Sequence, residues 1–174
     1  MTANAPARPD KSEYPVYTES YIARVPDGDI VATLGKQLDE TLALIKSIPE
    51  ARGTHRYAEG KWSIKEVLGH VIDGERVFAY RALRFARGDA TELAGFEQDD
   101  YVKGANFDAR TLSDLAGEYE TVRRSTISLF ASLEANAWSR KGSANNNEVS
   151  VRALAFIIAG HERHHVEVLR TRYL

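Results

Sequence analysis

VRALAFIIAGHERHHVEVLRTRYL, residues 151–174, decides the fold. At one hundred degrees per residue, Leu154, Ile157, Ile158, His161, His165, Val168 and Leu169 share one side of a helix, and Arg152, Arg163, Glu167 and Arg170 share the other. The stripe is amphipathic at helical period, with two imidazoles in the middle of its apolar side. An unsatisfied buried polar group costs about 1–3 kcal/mol, so a pair of histidines aimed into a core calls for a common partner. A metal ion is the most economical one.

Three more amphipathic helices precede it. Asp27-Gly28-Asp29 offers a cap, and Ile30, Leu34, Leu38, Leu42, Ile45 and Ile48 recur at helical spacing until Pro49. A second helix is predicted from Ser63 to about Arg87. Ser63 and Glu66 have capping-box spacing, and Ile64, Val67, Leu68, Val71, Phe78 and Ala82 share one face. Leu112, Leu115, Tyr119, Val122, Thr126, Leu129 and Leu133 step by three and four, giving a third helix from about Thr111 to Glu134. Ser150 caps the last. Four such helices predict an all-α fold, a four-helix bundle. Strand signals are scarce, and the polar run from Lys141 to Glu148 reads as a loop.

Two segments fall outside this pattern. Residues 1–26 hold four of the five prolines with no sustained period, so they read as an irregular arm, leaving residues 27–174 as one bundle domain. The connection from Gly88 to Asn106 is longer than antiparallel neighbours need, and is either a crossover or part of a site.

Composition narrows the chemistry. Lysine and arginine total 23 against 25 acidic residues, interspersed without a basic stripe, so nucleic acid is not expected as a partner. No window is apolar enough to span a bilayer, and the first residues carry prolines and charges where a signal peptide is greasy; a cytoplasmic location without membrane contact is the expectation. Cysteine is absent, which excludes disulfides, thiolate ligands and a thiol nucleophile of the chain's own. Any metal is then held by nitrogen and oxygen, a donor set suited to zinc, nickel, iron or manganese.

A third histidine, His70, lies two turns into the second helix at the border of its apolar stripe. Side chains at i and i+4 stand about 5–6 Å apart, so His161 and His165 can converge on one ion, with a third ligand from a neighbouring helix. Three protein ligands with open positions mark a catalytic rather than a structural site. Spacing alone leaves metal ligation and hydrogen-bonded core histidines both open. His164 turns to the flank and His55 lies in a loop. Glu75 falls near the centre of an apolar stripe, where a carboxylate needs a partner such as Arg81 or Arg123. Arg81 and Arg84 equally read as solvated charges on their helix that help an anionic thiol cofactor approach, and a charge on a helix is usually no more than that.

The runs WSIKEVLGH at 62–70 and GHERHH at 160–165, with a terminal RYL at 172–174, resemble the DinB superfamily, including its YfiT-like metal-dependent hydrolases. The resemblance covers roughly residues 25–174. It implies an up-up-down-down style four-helix bundle, commonly dimeric, with a divalent metal held by three histidines that fall on His70, His161 and His165. His164 matches an adjacent histidine that is not usually a ligand. Where relatives carry aspartate, this chain has Glu97; with Asp99 and Asp100 it reads as an acidic loop at the pocket mouth, and Phe96 and Tyr101 pin that loop to the bundle. The superfamily also contains enzymes that use low-molecular-weight thiols, so the resemblance implies a thiol-dependent S-transferase or a hydrolase acting on a small molecule, with zinc or nickel as the first expectation and a homodimer as the assembly. A non-enzymatic metal-binding or dimerisation bundle with a stress-related binding role is the alternative.

Overall fold

In the computed structural model, residues 6–174 are described; residues 1–5 of the N-terminal arm lie outside them. Four long helices form the bundle: α2 (Ile30–Ser47), α3 (Ile64–Ala86), α5 (Leu112–Ala131) and α6 (Val151–Val168). Their starts follow the expected chemistry. Asp29 caps α2, Ser63 and Glu66 form a reciprocal capping box on α3, Thr111 caps α5 and Ser150 caps α6. After Val168 the last helix loosens into a π turn, Leu169–Tyr173, that brings the buried Tyr173 back to donate to the Trp62 carbonyl at 2.7 Å.

α3 packs against α6 and α5, and α2 against α5 and α6. Helices consecutive in sequence, α2 with α3 and α5 with α6, are therefore not the broad packing partners. The connections must cross an end of the bundle, and that accounts for their length.

Three elements differ from the expectation. The arm, read as irregular, contains 3₁₀ turns at Lys11–Glu13 and Val16–Thr18 and a one-turn helix, α1 (Glu19–Ile22), docked on α6. The seat for α1 is Gly160, where a Cβ would stand 2.0 Å from the Tyr21 carbonyl oxygen. The long connection holds a helix, α4 (Gln98–Ala105), which packs on α3. The polar run after Trp138 is a β-hairpin, β1 (Lys141–Ala144) with β2 (Asn147–Ser150), in register Ala144 to Asn147. Asn145 and Asn146 both adopt positive φ, 53° and 58°, the conformation of a two-residue type I′ turn. The third helix also stops three residues early, at Ala131, and its Leu133 stays buried beyond the helix end.

The core divides into two clusters. One joins α1, α2, the ends of α3 and α5, the hairpin and the first half of α6 around Phe85, Phe130, Phe156 and Ile158; the other joins α2, α3, α5 and the π turn around Ile64, Ile72, Leu115 and Leu169. Buried polar side chains of all four long helices lie among them, including Thr41, Glu75, Arg123 and Glu162. Among the described residues no helix is long and apolar enough to cross a membrane.

Candidate metal centre

His70 on α3 and His161 and His165 on α6 meet at one point. His161 Nε2 stands 2.9 Å from His70 Nε2 and 3.2 Å from His165 Nε2, and one nitrogen from each ring falls within a 4.8 Å group. Helical geometry brings the α6 pair together at i and i+4. α3 crosses α6 at Gly74, where an added Cβ would stand 3.1 Å from the His161 ring.

These rings are held neutral. Burial, then the neighbouring imidazoles, pushes His161 well below its ordinary value. Burial pushes His70 down to about 4, partly opposed by the charge of Asp99, and takes His165, beside His70 and His164, to about 3. A neutral imidazole offers one N–H and one lone pair. Because both other Nε2 atoms approach the same nitrogen of His161, hydrogen bonding among the rings can satisfy only one of the two contacts. A cation takes a lone pair from all three. Ligand nitrogens 2.0–2.1 Å from a tetrahedral ion stand roughly 3.3 Å apart, close to the distances found. The donor set fits a divalent metal.

A charged network lies beside the imidazoles on the same helices. Arg123 on α5 is fully buried and donates to both oxygens of Glu75, Nε at 2.8 Å to Oε1 and Nη2 at 2.8 Å to Oε2. Its Nη2 also stands 2.6 Å from Glu162 Oε2, a charge contact rather than an aligned hydrogen bond. Thr41 and Tyr119 each donate to Glu162 Oε1 at 2.5 Å. Burial would lower the Arg123 pKa, but Glu162 and Glu75 outweigh it and raise it; burial and the Glu162 charge raise that of Tyr119. The network ties α2, α3, α5 and α6 together next to the histidines. Of the two partners expected for Glu75, the structure selects Arg123 and leaves Arg81 elsewhere. Glu162 escaped the sequence reading because it sits between His161 and Arg163 in a run that looks solvated.

The remaining candidates scatter. An open cavity of about 400 Å³ adjoins His165 and is walled by Tyr57, Lys61, Trp62, Asp99, His164 and Tyr173. Asp99 therefore reaches the site from α4. Glu97 is at the N-cap of α4 without a capping hydrogen bond, and Asp100 is exposed. His164 is half-buried, edge-on to Tyr21 at 5.6 Å, and burial lowers its pKa. His55 is exposed, 6.3 Å from the Tyr173 ring. Phe96 and Tyr101 contact one another at 5.1 Å and fasten α4 against Phe78, itself 5.8 Å from the His161 ring. Arg84 is paired with Asp89 and Tyr80.

The chain is thus a helical bundle with three inward histidines on two packed helices, a group able to hold a metal ion, and the comparisons give its family. Residues 33–169 match the DinB superfamily model; the chain belongs to the DinB superfamily. Its fold is similar to YfiT from Bacillus subtilis, a probable metal-dependent hydrolase with an unusual four-helix-bundle topology, at a TM-score of 0.68 and 12% identity over 93% of this chain and 91% of that one. A mycothiol-dependent maleylpyruvate isomerase matches with a TM-score of 0.67 and 13% identity, over 83% of this chain and 61% of that one. A DinB-like protein from Bacillus subtilis matches with a TM-score of 0.60 and 22% identity, over 82% of this chain and 87% of that one. No curated protein matches the sequence.

Proposed function

We propose that this protein is a metal-dependent enzyme acting on a small molecule, with His70, His161 and His165 as the ligands of one divalent ion, zinc or nickel before iron or manganese. The observation that carries this reading is the convergence of three neutral imidazole nitrogens beside an open cavity. A bound cation supplies Lewis acidity, which lowers the pKa of an oxygen or sulfur placed against it. The chain's own residues do the rest. Three protein ligands leave room for a further one, and the cavity at His165 gives a substrate access to that side. Trp62, whose ring lies 4.8 Å from that of His70, and Tyr57 and Tyr173 give the cavity apolar walls. Lys61 can hold an anionic group at its rim. His164, half-buried in the cavity wall, is a group able to take up or release a proton beside the site.

The chain has no thiol, so a thiol-dependent S-transfer requires the sulfur to arrive with a low-molecular-weight cosubstrate; hydrolysis requires only water. Elemental analysis of protein purified without an affinity tag tests the reading directly. About one divalent ion per chain is expected, falling to none in His161→Ala. Full metal content in that variant would overturn the ligand assignment. Activity of intact but not metal-stripped protein against a panel of thiols and electrophiles then separates an enzyme from a binding bundle.

A further inference from the structure

Arg81 is a buried cation without a counter-ion. It is 8% exposed, yet among the described residues no carboxylate lies within ion-pair distance of its guanidinium. Its hydrogen bond is to a neutral group, Nη2 donating to the Ala94 carbonyl at 2.9 Å. The guanidinium carbon lies 6.0 Å from the Phe78 ring centroid and 5.9 Å from that of Phe96. Other arginines along this helix are neutralised: Arg76 by Glu118 and Asp73, Arg84 by Asp89. Glu92 and the phenols of Tyr17 and Tyr101 act on Arg81 only through space, and burial pushes its pKa down despite them. Taking a charge out of water is costly unless it is paired. A carbonyl and two ring faces offset only part of that cost.

An open groove lies beside Arg81. A cavity of about 370 Å³ is walled by Tyr80, Arg81, Leu93, Phe96 and Tyr101. Its far wall is fixed, since Leu93 is bonded on both sides to the hairpin, its N–H to the Ser143 carbonyl and its carbonyl to the Asn145 N–H. Phe78 borders both this guanidinium and His161, so the charge is two ring contacts, 6.0 and 5.8 Å, from the histidine cluster.

We propose that this cavity binds an organic monocarboxylate with a flat apolar body, its carboxylate paired with Arg81 and its body against Phe96 and Tyr101. One uncompensated positive charge matches a monoanion; Arg76, also in the wall, already has its two carboxylates. A phosphate dianion would bring surplus charge and no surface for the aromatic walls. The pairing is charge-assisted, and a guanidinium meets a carboxylate with two parallel hydrogen bonds. The proposal goes beyond the metal reading and stands without it.

Benzoate is the probe, titrated into the full-length protein by NMR or calorimetry, with benzamide and inorganic phosphate as comparisons. Saturable benzoate binding is expected, with benzamide and phosphate at least about tenfold weaker. The same titration in His161→Ala separates this cavity from carboxylate ligation of a metal: retained affinity supports the Arg81 site, and lost affinity overturns it. Arg81→Gln is expected to weaken benzoate at least about tenfold. Because Arg81→Gln also removes the bond to Ala94, Tyr101→Glu provides a second arm. Tyr101 is 46% exposed and lines the cavity. A carboxylate there competes for Arg81, so benzoate binding should be lost in a variant whose circular dichroism and melting temperature match the wild type. Unchanged benzoate affinity in Tyr101→Glu, or equal affinity for benzoate and benzamide in the wild type, would overturn the proposal.

Discussion

Arg123 is the residue on which the interior charge balance rests. It is one guanidinium for two carboxylates, with every side chain in the group almost wholly out of water. Removing one partner of a buried ionic group leaves the other charge uncompensated, which costs about 3–5 kcal/mol. Arg123→Met should therefore destabilise the protein by about that amount in urea denaturation. Glu75→Gln keeps an oxygen to accept from Arg123, and Glu162 still supplies a negative charge, so it should lose less. If Arg123→Met unfolds within about 1 kcal/mol of the wild type, the network does not hold the helices. Glu75 and Glu162 lie on the same helices as His70 and His161, so the network also holds together the two helices that carry the imidazoles.

At the scale of elements, the arm is held by Glu13, a buried carboxylate that accepts from Arg152 on α6, with Nε at 2.6 Å from Oε2. Burial alone would raise its pKa, but Arg152, the Asp10 backbone and Ser150 outweigh that and hold it at about 2, against an ordinary value of 4.5. A depressed carboxylate stabilises the folded state fully above its ordinary pKa and loses that contribution as pH falls through the folded one. The Glu13 contribution to arm docking should accordingly be complete above about pH 5 and be lost from about pH 4.5 down to about 2. Hydrogen exchange of the α1 amides reads this directly, and Glu13→Gln should flatten the dependence that this carboxylate contributes. An α1 whose protection shows the same acid dependence in Glu13→Gln would remove Glu13 as the tether.

The sequence showed the four long helices and their caps because period and cap chemistry are local. It also brings His161 and His165 forward as candidates, since an i, i+4 pair has one geometry, whereas His70, alone at the border of its stripe, joins them through the family resemblance. The short elements were harder to see. α4 has eight residues and one buried side chain, Val102, so it carries no stripe. The hairpin's signal was present in Asn145-Asn146, two residues that tolerate positive φ, but its strands are four residues long and mostly polar. The burial of Arg81 has no local signal, because it comes from the segment that carries Ala94, Phe96 and Tyr101, distant in sequence.

On the scale of the whole molecule, a cation at the three histidines would join α3 to α6, the pair that carries two of the three ligands on one side and one on the other. The unfolded chain has no such preformed site, so binding free energy appears as folding free energy. With free ion at 100 times its dissociation constant, the gain is about 2.7 kcal/mol, and a chain of this length shifts its melting temperature by about 2–4 °C per kcal/mol. Chelation should then lower Tm by about 5–10 °C, and added zinc or nickel should restore it. His161→Ala should melt at one temperature with or without chelator. The measurement is a thermal melt followed by far-UV circular dichroism, with metal content determined on the same samples. A wild-type Tm that stays put once the ion has demonstrably been removed would mean that the histidine cluster is held together by the surrounding packing and the Arg123 network alone.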